Sequence, residues 1–323
     1  MSTPIDFQRA SEIAGAIRTE VEKALIGQRD VIEQTLVGLL AGGHVLIEGL
    51  PGLGKTLLVR CLARTFSGEA RRIQFTPDLM PADIVGHVMY DMKTGEFRTH
   101  RGPVFTNLLL ADEINRAPAK TQAAMLEAMQ ERQVTLEGTS HPLPRPFMTL
   151  ATQNPFEHEG TYPLPDAQLD RFLLKILISY PEQSDEVRMV GLVTQEQTDD
   201  AFTTENVAAV ASGQEVLAMR EAAARVRVDE KVVEYAVAVA RKTRKWPGIA
   251  QGASPRGGLA LVRAARARAL LEGRDFVLPD DIKGIAIPAL RHRILLAPEA
   301  QLEGQSGDSI LSSLLETVDA PRV

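Results

Sequence analysis

The sequence has almost no cysteine, few aromatic residues, no surplus of positive charge and no long apolar run, and each shortage closes off a class of function. Its single cysteine, Cys61, can build neither an intrachain disulfide framework nor a thiolate metal site. Cys61 sits in an apolar helical stretch, the setting of an inert core thiol, and this usage fits a reducing compartment. Aromatics make up 5% of the 323 residues, with one tryptophan, too few for the stacking platforms that grip single-stranded nucleic acid. With 36 basic and 42 acidic side chains the formal charge is −6, the wrong sign for a protein devoted to a phosphate backbone. Local basic patches survive such averaging. No segment approaches the ~20 apolar residues needed to span a bilayer. Met1–Phe7 lacks the basic and apolar regions of a signal peptide. The expectation is a soluble, cytoplasmic protein without membrane insertion. The six histidines, His44, His87, His100, His141, His158 and His292, show no metal-ligand spacing, so no transition metal is expected.

What is present is a change of pattern along the chain. Residues 5–24 and 30–41 carry apolar side chains at helical spacing, the second run stopped by Gly42-Gly43. Val45–Ile47 is a short buried strand, followed by a glycine-rich turn and a helix from Lys55 to about Phe66. Further strands are expected at Ile73–Phe75, Leu108–Ala111, Phe147–Thr152 and Phe172–Ile178, and a helix from Pro118 to Arg132. Met89–Phe97 reads as a hairpin turning at Thr94-Gly95. A second hairpin pairs Val134–Leu136, through Glu137-Gly138, with a strand near Pro142–Pro146. Alternating strands and helices imply an α/β core with a mostly parallel sheet and helices on both faces. Beyond Tyr180-Pro181 the pattern turns helical, at 214–226, 229–245, 255–272 and 280–290. The expected division is a core at 1–181 with an N-terminal helix and two hairpins, a linker at 182–213, and a helical domain with a weakly patterned tail at 214–323.

Gly49-Leu-Pro51-Gly52-Leu53-Gly54-Lys55-Thr56 matches the phosphate-loop pattern, with a strand before it and a helix after it as the mechanism requires. The glycines let the backbone turn so that its N–H groups point at phosphate oxygens, and the helix end adds positive charge. Pro51 to Leu57 are the residues expected to hold the phosphates, with Lys55 reaching the outer ones and the Thr56 hydroxyl meeting Mg²⁺.

The apolar run Leu108–Ala111 ends in Asp112-Glu113. Ligands bind at such C-terminal strand edges. Asp112 is placed to hold magnesium, and Glu113 to polarise an attacking water. Asn154, at the tip of the next apolar strand, could orient that water, or could serve only as a turn former before Pro155. Arg171 enters the last strand, where it is either a surface partner of Asp170 or an arginine offered to a γ-phosphate. Ser254-Pro255 is a helix start, which puts Arg256 in a first turn where the helix dipole disfavours a cation. A bound phosphate would reverse that penalty, while a solvated arginine would pay little for it.

Together these residues resemble the AAA+ superfamily, and within it the MoxR family. The MoxR-like stretches are Gln74–Gly86, Asp112–Pro118, Ala151–Pro155 and Leu164–Phe172, and the resemblance covers roughly residues 20–300. It implies an αβα core with a helical lid, and ATP with Mg²⁺ bound between subunits of a homo-oligomeric ring, usually a hexamer. It implies that Gly27-Gln28 lies near the adenine, that Asn154 is sensor 1, Arg171 the arginine finger and Arg256 sensor 2 acting in cis or in trans. The hairpins at 88–99 and 134–146 match insertions that line the central opening of related motors. Relatives act as chaperone-like ATPases on protein clients beside partners with von Willebrand factor A domains. A nucleic-acid motor, a metal-chelatase subunit and a non-hydrolysing nucleotide switch are the alternatives, nucleic acid being disfavoured by the acidic total.

Overall fold

The computed structural model describes residues 5–154, 162–195 and 204–322. Pro155, His158 and residues 196–203 of the expected linker lie outside the described residues. In chain order the core comprises α1 (Phe7–Ala24), α2 (Arg29–Leu40), β1 (Val45–Glu48), α3 (Lys55–Thr65), β2 (Ala70–Gln74), α4 (Pro81–Val85), β3 (Gly86–Asp91) and β4 (Glu96–Arg101). It continues with β5 (Leu108–Asp112), α5 (Ala119–Glu131), β6 (Gln133–Leu136), β7 (Thr139–Pro142), β8 (Met148–Gln153), α6 (Asp166–Leu169), β9 (Leu174–Leu177) and α7 (Gln183–Gln195). The lid follows as α8 (Gly213–Arg225), α9 (Glu230–Lys242), β10 (Ile249–Gln251), α10 (Pro255–Leu271), α11 (Pro279–Leu290), β11 (Leu295–Leu296), α12 (Pro298–Leu302) and α13 (Gly307–Glu316).

Five strands form one sheet in the order β2-β5-β8-β1-β9, every pairing parallel. Side chains alternate across a strand, and the apolar runs are long enough to fill both faces. Val45, Ile47, Leu108, Leu110 and Leu150 enter one core with α1, α2 and α3. Leu46, Leu109, Ala111 and Ala151 enter the other with Met125, Leu126 and Met129 of α5. Burial on both faces is why these strands read as unbroken apolar stretches rather than alternating ones. Each such fully buried aliphatic side chain contributes about 1.5–3 kcal/mol. The lid helices α8 to α11 share the first of these cores, so the layer beneath α1–α3 runs without a break into the lid. Local signals set the helix ends. Asp6 caps α1 by accepting from the Arg9 N–H at 2.7 Å, and Ser254 with Pro255 starts α10 as its sequence predicts. Among the described residues no helix is long and apolar enough to cross a membrane.

Four expectations need correction. The stretch 182–213 opens with the helix α7. Its Val187 and Val190 are exposed, so no single buried stripe marks it in the sequence. The tail after residue 300 is structured. Ile310, Leu311, Leu314 and Leu315 of α13 are buried, and Ser306 and Ser309 form its capping box. The second hairpin turns where expected, at Glu137 (φ 45°) and Gly138 (φ 78°), but its return strand is β7 and not 142–146. Two successive left-handed residues make the two-residue turn that starts pairing at once, and Pro144 and Pro146 have no N–H to extend it. The first hairpin is longer than expected, with pairing from Gly86↔Arg101 to Asp91↔Glu96. At its base a Cβ on Gly86 would lie 2.1 Å from the His100 carbonyl oxygen, so only glycine fits.

His44 locks the sheet to α5. Its Nδ1 accepts from the Thr149 N–H at 2.9 Å, so its Nε2 carries the proton donated to the Met129 carbonyl at 2.9 Å. Protonating Nδ1 would set two donors against each other. Burial first, and the neighbouring arginines second, push this imidazole down to about 3. A folded pKa below the unfolded value of about 6.5 means that the unfolded chain binds the extra proton, so the stability is present above 6.5 and is lost as pH falls. Urea unfolding between pH 7.5 and 5 should show stability falling below pH 6.5 with a slope approaching about 1.4 kcal/mol per unit from this residue. A slope unchanged by His44→Gln would refute the assignment. His292, also held well below its ordinary range by burial and by Arg293, adds to the same trend.

Candidate active site

β1 leads into the glycine-rich loop, and the loop into α3. Gly52 (φ 83°) and Gly54 (φ 82°) hold left-handed backbone, which side chains disfavour. Gly54 occupies the N-cap of α3 with no side-chain cap, which leaves first-turn amides and the positive helix end to an outside acceptor. A cavity of about 480 Å³ lies over this loop and is lined by Pro51 through Leu57. Lys55 is folded over the loop, its Nζ donating to the Gly49 carbonyl at 2.8 Å.

The ends of β5 and β8 line the same cavity with Asp112, Glu113 and Asn154. Asp112 accepts from the Thr152 hydroxyl at 2.6 Å and from Arg72 at 2.7 and 3.0 Å. Thr152 accepts in turn from the Glu113 N–H at 2.9 Å, so one hydroxyl fixes both acidic residues to β8. Glu113 itself takes a left-handed backbone, φ 56°, and its carboxylate accepts from Gln74 at 2.6 Å and from Arg116 at 2.9 Å. Both acids are therefore held by donors from outside their own strand.

Leu25, Ile26 and Gln28 close the cavity together with Pro181 and Met189. The Gln28 amide donates to the Ser179 carbonyl at 2.7 Å, tying this segment to the end of the sheet. Gly27 is not among the lining residues. It stands behind the wall, where a Cβ would lie 2.8 Å from Pro181 and 2.9 Å from Asp185.

The residues present fit a nucleotide with magnesium. Backbone amides, Lys55 and open space at Gly52, where a Cβ would meet nothing within 4 Å, suit a chain of phosphates. The Thr56 hydroxyl and the Asp112 carboxylate are the hard oxygen donors that Mg²⁺ takes alongside phosphate and water. Among the described residues no group of three or more His, Cys, Asp or Glu side chains could hold a metal by itself.

Arg171 and Arg256 lie elsewhere. They line a second depression of about 320 Å³, which shares no lining residue with the first among the described residues. The Nε of Arg171 is buried with no hydrogen-bond partner among the described residues. Its neighbour Asp170 is not its ion-pair partner. Asp170 accepts from Arg293 at 2.8 Å and from the Ser254 hydroxyl at 2.8 Å, and so pins the turn that carries Arg171 to the helix that carries Arg256. Arg293 also donates to the Phe172 and Leu173 carbonyls at 2.6 and 3.1 Å. Buried pairs of this kind give position more than stability.

Sequence reasoning assigned no role to Arg72, Gln74, Thr152, Arg116 or Met189. Arg72 and Gln74 flank Ile73, the buried residue of β2, and a charged residue two before an amide on one face of that strand was the available signal. Met189 could not be placed without α7.

Residues 44–174 match the family model described as ATPase family associated with various cellular activities (AAA), and residues 241–314 match that of the AAA lid domain. The chain is 44% identical to Chaperone MoxR1 of Mycobacterium tuberculosis over 94% of its own length and 81% of that protein's. It is also 44% identical to the protein YeaC of Bacillus subtilis, over 96% and 95% of the two chains. A solved structure of a protein from Cytophaga hutchinsonii assigned as an ATPase superposes with a TM-score of 0.89 at 41% identity, covering 98% of this chain and 97% of that one.

Proposed function

The chain belongs to the MoxR family of AAA+ ATPases, and from that premise we propose that it hydrolyses ATP at sites shared between neighbouring copies in a closed, hexameric ring. The turnover drives chaperone-like remodelling or assembly of a protein client, in concert with a partner carrying a von Willebrand factor A domain. The observation that carries this reading is the separation of the two depressions. The cleft brings the phosphate-loop residues together with Asp112, Glu113 and Asn154, while Arg171 and Arg256 line a separate depression.

In this reading the loop amides and Lys55 bind the phosphates. Thr56 and Asp112 hold Mg²⁺, which when bound supplies positive charge among the phosphate oxygens. Glu113 takes the proton of the attacking water, and Asn154 orients that water. The next copy supplies Arg171 and Arg256, so Arg256 works in trans. Arg72 on Asp112, and Gln74 and Arg116 on Glu113, orient the two acids toward the cleft. The name of MoxR1 supports the chaperone role. So do four exposed side chains on the β3–β4 hairpin, Met89, Tyr90, Met92 and Phe97, an apolar surface suited to gripping polypeptide.

The test is Mg²⁺-dependent ATP hydrolysis measured against protein concentration alongside light scattering. Activity per chain is expected to rise in step with association. Equal activity from isolated chains and from rings would refute the shared site.

A further inference from the structure

Three more guanidiniums reach the depression that holds Arg171 and Arg256, those of Arg132, Arg263 and Arg293. The one carboxylate among them is Asp170, and both of its oxygens are already engaged, one by Arg293 and the other by Ser254. Arg132, Arg171, Arg256 and Arg263 form no ion pair among the described residues. The repulsion is felt locally. Burial, and then the charge of Arg132, hold the Arg263 guanidinium below its ordinary range, and burial first, with Arg256 and Arg263 adding to it, does the same to Arg293 against the pull of Asp170. A chain with a net charge of −6 thus gathers uncompensated cations in one depression of about 320 Å³.

The backbone holds two of them and offsets part of their charge, with one donor of each engaged. Arg263 donates one N–H to the Ala41 carbonyl at 2.8 Å, and Arg132 one to the Gly42 carbonyl at 3.0 Å. Both carbonyls lie just past the end of α2, the negative end of that helix. A guanidinium has five such donors, so each is aimed by one bond and keeps the rest.

We propose that Arg263 and Arg132 complete, with Arg171 and Arg256, a receptacle for the triphosphate of the nucleotide bound to a second copy of this chain. This rests on the shared-site reading above and extends it, because four guanidiniums and not two then meet the neighbour's phosphates. A triphosphate offers both the charge and the many planar acceptor edges that forked donors match, and the receptacle is incomplete until the neighbour's cleft closes over it.

The experiment is a pairwise complementation of ATP hydrolysis. Lys55→Ala has a disabled cleft and an intact receptacle, while Arg263→Gln has an intact cleft and a weakened receptacle. Arg263→Gln alone is expected to bind a fluorescent ATP analogue like wild type when dilute and to lose about 10²-fold in turnover when assembled. Mixed in equal amounts and allowed to assemble, the two variants should recover up to about a quarter of wild-type activity, the share of interfaces that random mixing leaves intact. Arg263→Lys, which retains the charge and can still reach Ala41, should fall between wild type and Arg263→Gln. Wild-type turnover by Arg263→Gln overturns the proposal. So does failure of its mixture to recover while an Arg171→Ala plus Lys55→Ala mixture does recover, since Arg263 then serves only its own chain. If neither mixture recovers, the shared site itself is wrong, and the proposal falls with it.

Discussion

Arg171→Ala is expected to leave each chain able to bind ATP and to stop the assembled protein from hydrolysing it. The residue lies at the entry to β9, outside the cleft lining, with its Nε buried and unpartnered among the described residues. A buried donor without a partner in its own chain calls for an explanation, and an acceptor on a neighbouring copy supplies one. An arginine delivered to a transferring phosphoryl group is worth about 10³–10⁵ in rate, or about 4–7 kcal/mol of transition-state stabilisation. Substitution should not unfold the chain, because the buried ion pair at this corner belongs to Asp170 and Arg293 rather than to Arg171. The measurement is single-turnover hydrolysis by the assembled variant, with nucleotide affinity measured on dilute protein. A variant that hydrolyses at the wild-type rate would remove Arg171 from the mechanism, and one that binds ATP poorly when dilute would place the residue in its own cleft.

Glu113→Gln is expected to trap the protein with ATP bound. The amide nearly matches the carboxylate in shape and can still accept from Gln74 and Arg116 at the 2.6 and 2.9 Å positions. It cannot take a proton from water. The loss of a general base costs about 10²–10⁴-fold in turnover, while the loop amides and Lys55 that bind the phosphates are untouched. ATP should therefore accumulate uncleaved on the variant, and rings should persist longer at a given concentration because every interface keeps its triphosphate. Turnover within a few fold of wild type would show that another group activates the water.

What the sequence made legible was whatever its chemistry requires to be contiguous. A phosphate loop must run strand, glycines, lysine and helix without interruption, so residues 49–57 announced both their structure and their position. The strands ending in Asp112 and Asn154 were readable because burial on both faces leaves an unbroken apolar run. Partners joined across the sheet were not readable in the same way. Arg72 meets Asp112 through the β2–β5 pairing, and Thr152 meets Glu113 across β5 and β8, and neither contact has a signature within one segment. Gly27, expected beside the adenine, also packs closely against Pro181 and Asp185, a contact between distant segments that the sequence did not display. The helices α7 and α13 went unread because one has exposed valines and the other sits in a polar tail. That Arg256 shares a depression with Arg171 depends on the packing of α10 against the core, which no single segment displays.

β2 is an edge strand, paired on one side only. Arg72 and Gln74 stand two residues apart on it, so they point to the same face, and they engage the two adjacent acids, Asp112 and Glu113. On the proposed reading one edge strand therefore restrains both the acid that would take the metal and the acid that would activate water, so a substitution on β2 would be felt at two steps of the reaction at once.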